Sequence, residues 1–374
     1  MATPSKKRFD ASGPQTVNQR LLTSAVNRWV YMERFKGGVA VKVRRFLDRE
    51  LFPDLTGRLA ERLEKIGDRG GEDLGPLMTD RLAGVASMIG DIVQPQLTGD
   101  LRELIEEELG GLAVSEARWQ VATMRKVTDA FGLDYAMPSP SILRSIVTSR
   151  APVGKTIVEH LEGISNFARD EVASQLRIGI AQGESVGRMI TRVRGTLEAN
   201  YGDGIYEKVR NGVDAVVRTS TNFVVNQARE QTMAENEDIV DRVQLVATLD
   251  TRTSPVCRAR DGEVYPVNKG PRPPFHPNCR TMAVPVTKSW DELGLGDRFK
   301  SGDPQFDQRE SIDGEVAGEI TYEDWLAQQP KARQLEILGP ARYDLWKREG
   351  LSLKDMIDTR GRTLTLEELD ELTG

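Results

Sequence analysis

The sequence predicts a mainly α-helical protein: an elongated helical body, a small α+β module with a short hairpin-like sheet near residues 241–288, and a short helical C-terminal tail. Two patterns support this prediction. Apolar residues recur at helical spacing through most of the chain before Asp241, which is typical of amphipathic helices. After Asp241 the period becomes two, because Val243, Leu245 and Ala247 alternate with the residues between them as in a β-strand.

The N-terminal helical region, which includes a basic arm, is predicted to span residues 1–140. Gly37-Gly38 predicts a break in its first helix, because glycine is a poor helix former. The apolar spacing then predicts one long helix over 39–66, interrupted near Pro53, and a similar helical stretch over 73–112.

A central helical domain is predicted over residues 141–240. Its helices cover 154–182 and, after a short helix that follows a glycine turn, the stretch 204–236, which carries the longest apolar stripe. At 1.5 Å per residue, this last helix is about 45 Å long. The segment "APVGKT" at 151–156 imitates a phosphate-binding loop, but Ser149 stands where that motif needs glycine, so we interpret it as a helix start.

The small β-containing Cys/His module is predicted over residues 241–288, with a return strand at 282–286. The remaining residues, 289–374, are predicted to form a linker and an acidic helical tail. Thr321 and Thr365 are candidate helix starts, the latter with a capping-box glutamate three residues later.

Charge is distributed unevenly along the chain. The formal net charge is -6 and the sequence pI is about 5.4, which excludes a uniformly basic nucleic-acid-binding protein. Residues 1–50 nevertheless contain 11 Lys or Arg against 4 Asp or Glu, whereas residues 301–374 contain 9 against 17. The two ends are therefore expected to have different neighbours, or else to be two solvated surfaces.

The sequence also indicates the cellular compartment in which the protein is expected to assemble. Two cysteines in 374 residues cannot form the disulfide framework of small secreted proteins, which indicates assembly in a reducing cytoplasm. The basic start lacks a following apolar segment, so no secretion signal is expected. No apolar run approaches the 18 or so residues of a membrane span, so no membrane partner is expected.

Both cysteines and one of the two histidines lie within one short stretch, as Cys257, His276 and Cys279. Thiolate and imidazole are good zinc ligands, so these three residues are a candidate metal site and zinc a candidate cofactor. A closed structural site has four ligands, and Ser254 stands where a Cys-x-x-Cys pair would begin. Asp261 or Glu263 could supply an oxygen, or water could complete the ligand set; a disulfide or two free thiols are the alternatives.

A hydrogen-bonded clasp is predicted at the ends of this stretch. Asp250 and Thr253 follow the predicted strand, where their side chains tighten a turn by bonding to nearby amides. Arg252 and Arg280 are placed to bracket the Asp250 carboxylate, although independent solvated charges are the alternative.

Three catalytic readings of the sequence are weaker. A Cys257 nucleophile with His276 as base lacks an identifiable third orienting group, and the surrounding prolines favour a rigid loop over a substrate groove. "RTSTNF" from Arg218 has a faint likeness to ADP-ribosyltransferases, but the downstream Glu235-Asn-Glu237 lies in the same helical stretch instead of on a separate strand. His160 is interpreted as a surface or packing residue. We therefore predict no catalytic residues and no enzyme activity.

Taken together, "VATLDTRTSPVCRARDGEVY…PPFHPNCRT" resembles the Mu F-like minor head proteins of tailed bacteriophages, also called phage head morphogenesis proteins. The resemblance covers about residues 155–370, and Ser254 departs from it because the family usually has its first cysteine there. The positions that match the family pattern are Thr248, Asp250, Arg252, Thr253, Cys257, Asp261, Gly262, Pro273, Pro274, His276, Pro277, Cys279 and Arg280.

The resemblance implies a structural component of the phage head, assembled in the host cytoplasm, present in several copies and associated with the portal or the inner capsid. Its implied partners are the portal protein, the major capsid protein and further copies of itself. Packaged DNA is a candidate partner of residues 1–50, because Lys and Arg replace counterions near phosphates. The alternatives are an ejected DNA-binding virion protein, an ADP-ribosyltransferase-like enzyme and a zinc-dependent enzyme.

Overall fold

Helix accounts for 66% of the residues that the structure describes, accompanied by a small antiparallel sheet and a short C-terminal helix, which confirms the predicted fold class. The computed structural model describes residues 17–67, 76–128, 132–276, 279–289, 291–294 and 308–373. Within these ranges, no helix combines the length and the hydropathy needed to cross a membrane. In chain order the helices are α1 (Val17–Phe46), α2 (Phe52–Gly67), α3 (Pro76–Pro95), α4 (Arg102–Val127), α5 (Pro140–Thr148), α6 (Ile157–Ala181), α7 (Val186–Arg194), α8 (Ile205–Ala234), α9 (Pro255–Ala259), α10 (Tyr322–Ala327), α11 (Lys331–Asp344) and α12 (Leu366–Thr373).

Helix α1 continues through Gly37-Gly38, so the predicted break is wrong. Both glycines are exposed, and a Cβ at either position would meet nothing within 4 Å. Met32, Val39 and Val43 are buried on either side of them. The free energy gained by burying these apolar side chains outweighs the cost of a glycine in a helix, which is roughly 1 kcal/mol per residue.

The predicted interruption near Pro53 is present. A π-helical turn, Leu47–Leu51, separates α1 from α2 and buries both of its leucines. The backbone stays helical from Phe46 to Phe52, so Pro53 removes a hydrogen-bond donor from a continuous helical run, and the irregular turn lies just before it. A second π-helical turn, Gln96–Leu101, directly follows Pro95, the last residue of α3.

One hydrophobic cluster joins the helices on both sides of residue 140. It contains Leu47, Leu97 and Ile105 from the N-terminal region together with Leu161 and Val213 from α6 and α8. The long α8 therefore packs against α4, α6 and α1 at once. Its bounds agree with the stripe predicted for 204–236.

The three-stranded antiparallel sheet has the order β2-β1-β3, with the predicted return strand as β3. Along β1 and β3 alternate residues face opposite sides, and both sides are covered. Val243 and Ala283 pack in a cluster with Met233 of α8, whereas Val284 packs with Leu22 of α1. The strands are β1 (Val240–Val246), β2 (Val264–Pro266) and β3 (Met282–Thr287).

Part of the segment predicted as a linker forms a second sheet. The strands β4 (Gln308–Ser311) and β5 (Gly314–Ala317) make an antiparallel hairpin, and Leu249 forms a parallel bridge with Ser311. Gly314 adopts φ 107 at the turn, a conformation that glycine takes without steric cost. The Gly/Asp-rich composition therefore reflects a tight turn here.

Helices α10 to α12 share a separate cluster built around the fully buried Tyr322, Trp325 and Leu369. Both predicted helix starts are confirmed. Thr321 forms a reciprocal capping box at α10, and the amide of Glu368 donates to Thr365 Oγ1 at 3.2 Å while Glu368 accepts from the Thr365 amide.

Candidate functional site

Cys257, His276 and Cys279 lie together, and their candidate ligand atoms are all within 4.8 Å of one another. Cys257 is on the short helix α9, which begins at Pro255 because proline fits the first helical turn. Cys279 lies three residues before the start of β3. The two sulfurs are 3.6 Å apart, and His276 Nε2 is 3.2 Å from Cys257 Sγ.

These distances fit a metal-binding arrangement. Zinc–sulfur bonds of about 2.3 Å and zinc–nitrogen bonds of about 2.0 Å, at tetrahedral angles, imply about 3.8 Å between two sulfurs and about 3.5 Å between sulfur and nitrogen. The observed separations are close to both values. The three side chains thus can supply three zinc ligands after small adjustments.

Ser254 occupies the position where a fourth ligand would stand. Its Oγ lies 2.7 Å from His276 Nε2, which is the distance of a hydrogen bond and shorter than the roughly 3.3 Å between two ligands of one tetrahedral zinc. The enclosed cavity beside Ser254, Cys257 and His276 has a volume of about 20 Å³. A space of this size admits a single water molecule or ion.

The two thiols have opposite acid–base behaviour. The hydrogen bond from Cys257 lowers the pKa of Cys279, and the same contact, together with burial, raises the pKa of Cys257. Cys279 is therefore the better metal ligand, since a metal binds the deprotonated thiolate.

The predicted clasp is present and uses Arg280. Its two terminal nitrogens donate to the Asp250 carboxylate at 2.6 and 2.8 Å, a bidentate geometry. Asp250 Oδ1 also accepts from the Thr253 amide and hydroxyl at 3.0 Å each. Burial opposes ionisation of Asp250, but Arg280 and these donors keep its pKa below the usual value.

Arg252 joins the turn through its backbone instead of its side chain. Its amide donates to Asp250 Oδ1 at 3.0 Å, whereas its Nε is 3.9 Å from Oδ2 and its side chain is 83% exposed. Arg280 therefore holds the carboxylate by two hydrogen bonds, whereas Arg252 makes only a loose ion pair with it.

Asp261 connects the module to the tail. Both of its oxygens receive bonds from Arg309, at 2.7 and 2.9 Å, and they also accept from the amides of Ala247 and Tyr322 at 2.7 and 2.6 Å. The neighbouring Gly262 has φ 81, which suits glycine. Asp261, considered in the sequence as an oxygen ligand, is thus saturated by other bonds.

Two asparagines of α8 hold the start of β3, and the sequence analysis missed both. Asn222 donates to the carbonyl of Cys279, and Asn226 accepts from the Ala283 amide at 3.3 Å. They are four residues apart and so lie on one helix face. The buried polar run Thr219–Asn222, inside an otherwise apolar stripe, was the available signal.

The residues weighed for catalysis have other surroundings. Glu235 caps α8 and Glu237 accepts from the side chain of Asn268 at 2.7 Å. His160 Nε2 is 3.2 Å from the carbonyl oxygen of Pro152. The "APVGKT" segment ends at Thr156, which caps α6 in a capping box, so its interpretation as a helix start is confirmed.

The sequence model of the family described as "Phage Mu protein F like protein" matches residues 170–284. The matched stretch runs from within α6 through α8 to β3, and it includes every candidate residue from Asp250 to Arg280. The match supports the family resemblance identified from the sequence. No curated protein and no solved structure gives a match.

Proposed function

We propose that this chain, whose residues 170–284 match the phage Mu protein F like family, is a minor structural protein of a bacteriophage head. It acts in head morphogenesis, next to the portal or on the inner face of the capsid. The family match, which includes Cys257, His276 and Cys279 and ends within β3, is the observation that carries this proposal.

The geometry of the module favours a structural role over a catalytic one. Asp250 and Asp261 are saturated by hydrogen bonds that fasten neighbouring segments. The cavity that is lined by both Cys257 and His276 has a volume of about 20 Å³, far smaller than the several hundred Å³ of typical small-molecule sites. A rigid, cross-braced module is what an assembly component needs to present a fixed surface.

The proposal gives the two ends of the chain different neighbours. The excess of Lys and Arg in residues 1–50 favours contact with packaged DNA. The acidic tail faces protein, with the portal protein or the major capsid protein as the partner. Several copies per head, in contact with one another, complete this arrangement.

Quantitative mass spectrometry of purified virions tests the proposal. We expect the chain in every intact head, in fewer copies than the major capsid protein, and still present in particles that have released their DNA. Its absence from purified heads would overturn the proposal. Loss on DNA release would support the alternative of an ejected virion protein.

We further propose that Cys257, His276 and Cys279 bind one zinc ion that reinforces the module. Because Ser254 leaves the ligand set one short, Ser254→Cys is expected to tighten zinc binding by on the order of tenfold or more. Zinc content and competition with a chromogenic chelator measure the effect.

The matched control for zinc is His160→Ala, which removes the other histidine and should leave zinc binding unchanged. Cys279→Ala should abolish it. If neither the unmodified chain nor Ser254→Cys holds zinc, the metal proposal is wrong. Resistance of both cysteines to alkylation in virion protein that is denatured without a reductant, in the absence of zinc, would assign a disulfide instead.

A further inference from the structure

An open groove of about 830 Å³ lies where α1, α8 and the module meet. It borders the small cavity at the cysteines and shares Arg252, His276 and Arg280 with it. Five cationic side chains line the groove, against the two carboxylates of Glu33 and Asp214. The cations are Lys36, Arg44, Arg218, Arg252 and Arg280.

Three of these cations are matched by nearby carboxylates. Arg280 binds Asp250 as described above, Lys36 Nζ is 2.6 Å from Glu33 Oε1, and Arg44 Nε is 2.9 Å from Asp214 Oδ2. Their charges are largely neutralised within the protein, and their positions are fixed.

Arg218 and Arg252 are not matched in this way. Arg252 is mostly exposed and its nearest carboxylate already binds Arg280. Arg218 is exposed on α8, and no acidic side chain in the described part of the chain forms an ion pair with it. The groove therefore keeps two uncompensated guanidinium groups in a chain whose net charge is -6.

Lys36 is buried beside Arg218 at the groove. It is only 3% exposed; burial lowers its pKa, and the nearby charge of Arg218 lowers it further although Glu33 acts in the opposite direction. A bound anion would relieve this repulsion, since an opposite charge stabilises the charged form of each group.

We propose that this groove binds phosphate groups, with Arg218 and Arg252 making the direct contacts. Guanidinium groups suit phosphate oxygens because their planar donors can form two parallel hydrogen bonds. The open shape admits either a DNA backbone or a free pyrophosphate. The DNA source deepens the proposed function, on which that choice rests, by giving the contact with packaged DNA a defined site.

The test compares the unmodified chain with the double variant Arg218→Gln/Arg252→Gln. The control is Arg144→Gln/Arg177→Gln, which removes two exposed arginines of α5 and α6 that do not line the groove and lie outside residues 1–50. Binding of a short fluorescent duplex DNA is measured across a salt series, with sodium pyrophosphate as competitor, and far-UV circular dichroism checks that all three proteins fold.

We expect the groove variant to bind duplex DNA more weakly at low salt, by on the order of tenfold or more. The slope of log affinity against log salt concentration should become shallower by about two, because two phosphate contacts are lost. The control should bind within about twofold of the unmodified chain. If micromolar pyrophosphate displaces the DNA, and this displacement requires Arg218 and Arg252, the ligand is a free phosphate compound. That result would still support phosphate binding in the groove.

Equal binding by the groove variant and the control, or no binding of either probe at low salt, would overturn the proposal. Incorporation of the groove variant into heads is then measured separately. A variant that enters heads normally but has lost no DNA affinity refutes the phosphate groove and leaves the structural role intact.

Discussion

Glu116→Gln is expected to destabilise the helical body by roughly 3–5 kcal/mol, the range found when one partner of a buried ion pair is removed. Glu116 is completely buried on α4. One of its oxygens binds Arg229 of α8, at 2.8 Å from Nε and 2.6 Å from the second nitrogen. The other accepts from Arg28 of α1 at 2.8 Å.

This carboxylate is thus shared by two guanidinium groups on different helices. The ring of Trp119 lies 5.0 Å from the Arg229 guanidinium and 5.5 Å from that of Arg28, so both cations also receive cation–π contacts. A glutamine would leave the two positive charges without a counter-charge, because its amide presents one acceptor and one donor.

Urea denaturation followed by circular dichroism measures the loss. The control is Glu107→Gln, an exposed position on the same helix, for which a change within about 0.5 kcal/mol is expected. If the two variants unfold at the same urea concentration, the shared carboxylate is not a main support of the helical body.

The contrast between α8 and the β4–β5 hairpin shows which parts of the fold can be predicted from a local sequence pattern. Helix α8 was predicted because its apolar stripe repeats over many turns and both of its ends carry breakers. The hairpin spans a few residues with no hydrophobic period, and it is held by Arg309, whose carboxylate partner Asp261 lies 48 residues earlier in the chain. Such a pairing is tertiary and leaves no local pattern.

The contacts of the candidate site also include some that could be predicted from the sequence and some that could not. The closeness of Cys257, His276 and Cys279, and the pairing of Asp250 with Arg280, could be predicted because short loops bring these residues together. The hydrogen bond from Asn222 to the Cys279 carbonyl could not be predicted, because it depends on how α8 packs against the sheet. The buried position of Asp261 likewise depends on the tail, which the sequence presented as a separate segment.

Asp261→Asn is expected to release the tail from the module, at a cost of about 3–5 kcal/mol. The Asp261 side chain is fully buried and that of Arg309 is 5% exposed. Asparagine would aim an amide group at donors from Arg309, Ala247 and Tyr322, so that at least one buried donor loses its acceptor. The uncompensated Arg309 charge then favours opening of the hairpin.

Hydrogen exchange with mass spectrometry separates this effect from general unfolding. Residues 308–345 should exchange faster in Asp261→Asn, while α4 and α8 keep their protection. The control is Asp313→Asn, which removes an exposed ion pair with Arg333 and should cost less than about 1 kcal/mol.

A double-mutant cycle decides whether the Asp261–Arg309 pair itself is responsible. Arg309→Met fills the same space without a charge, so adding it to Asp261→Asn should recover part of the loss. We expect the two substitutions to be non-additive by about 0.5–3 kcal/mol, as for residues in direct contact. Strict additivity, or equal protection of the tail in Asp261→Asn and Asp313→Asn, would mean that the hydrophobic cluster around Tyr322 and Trp325 holds the tail without this pair.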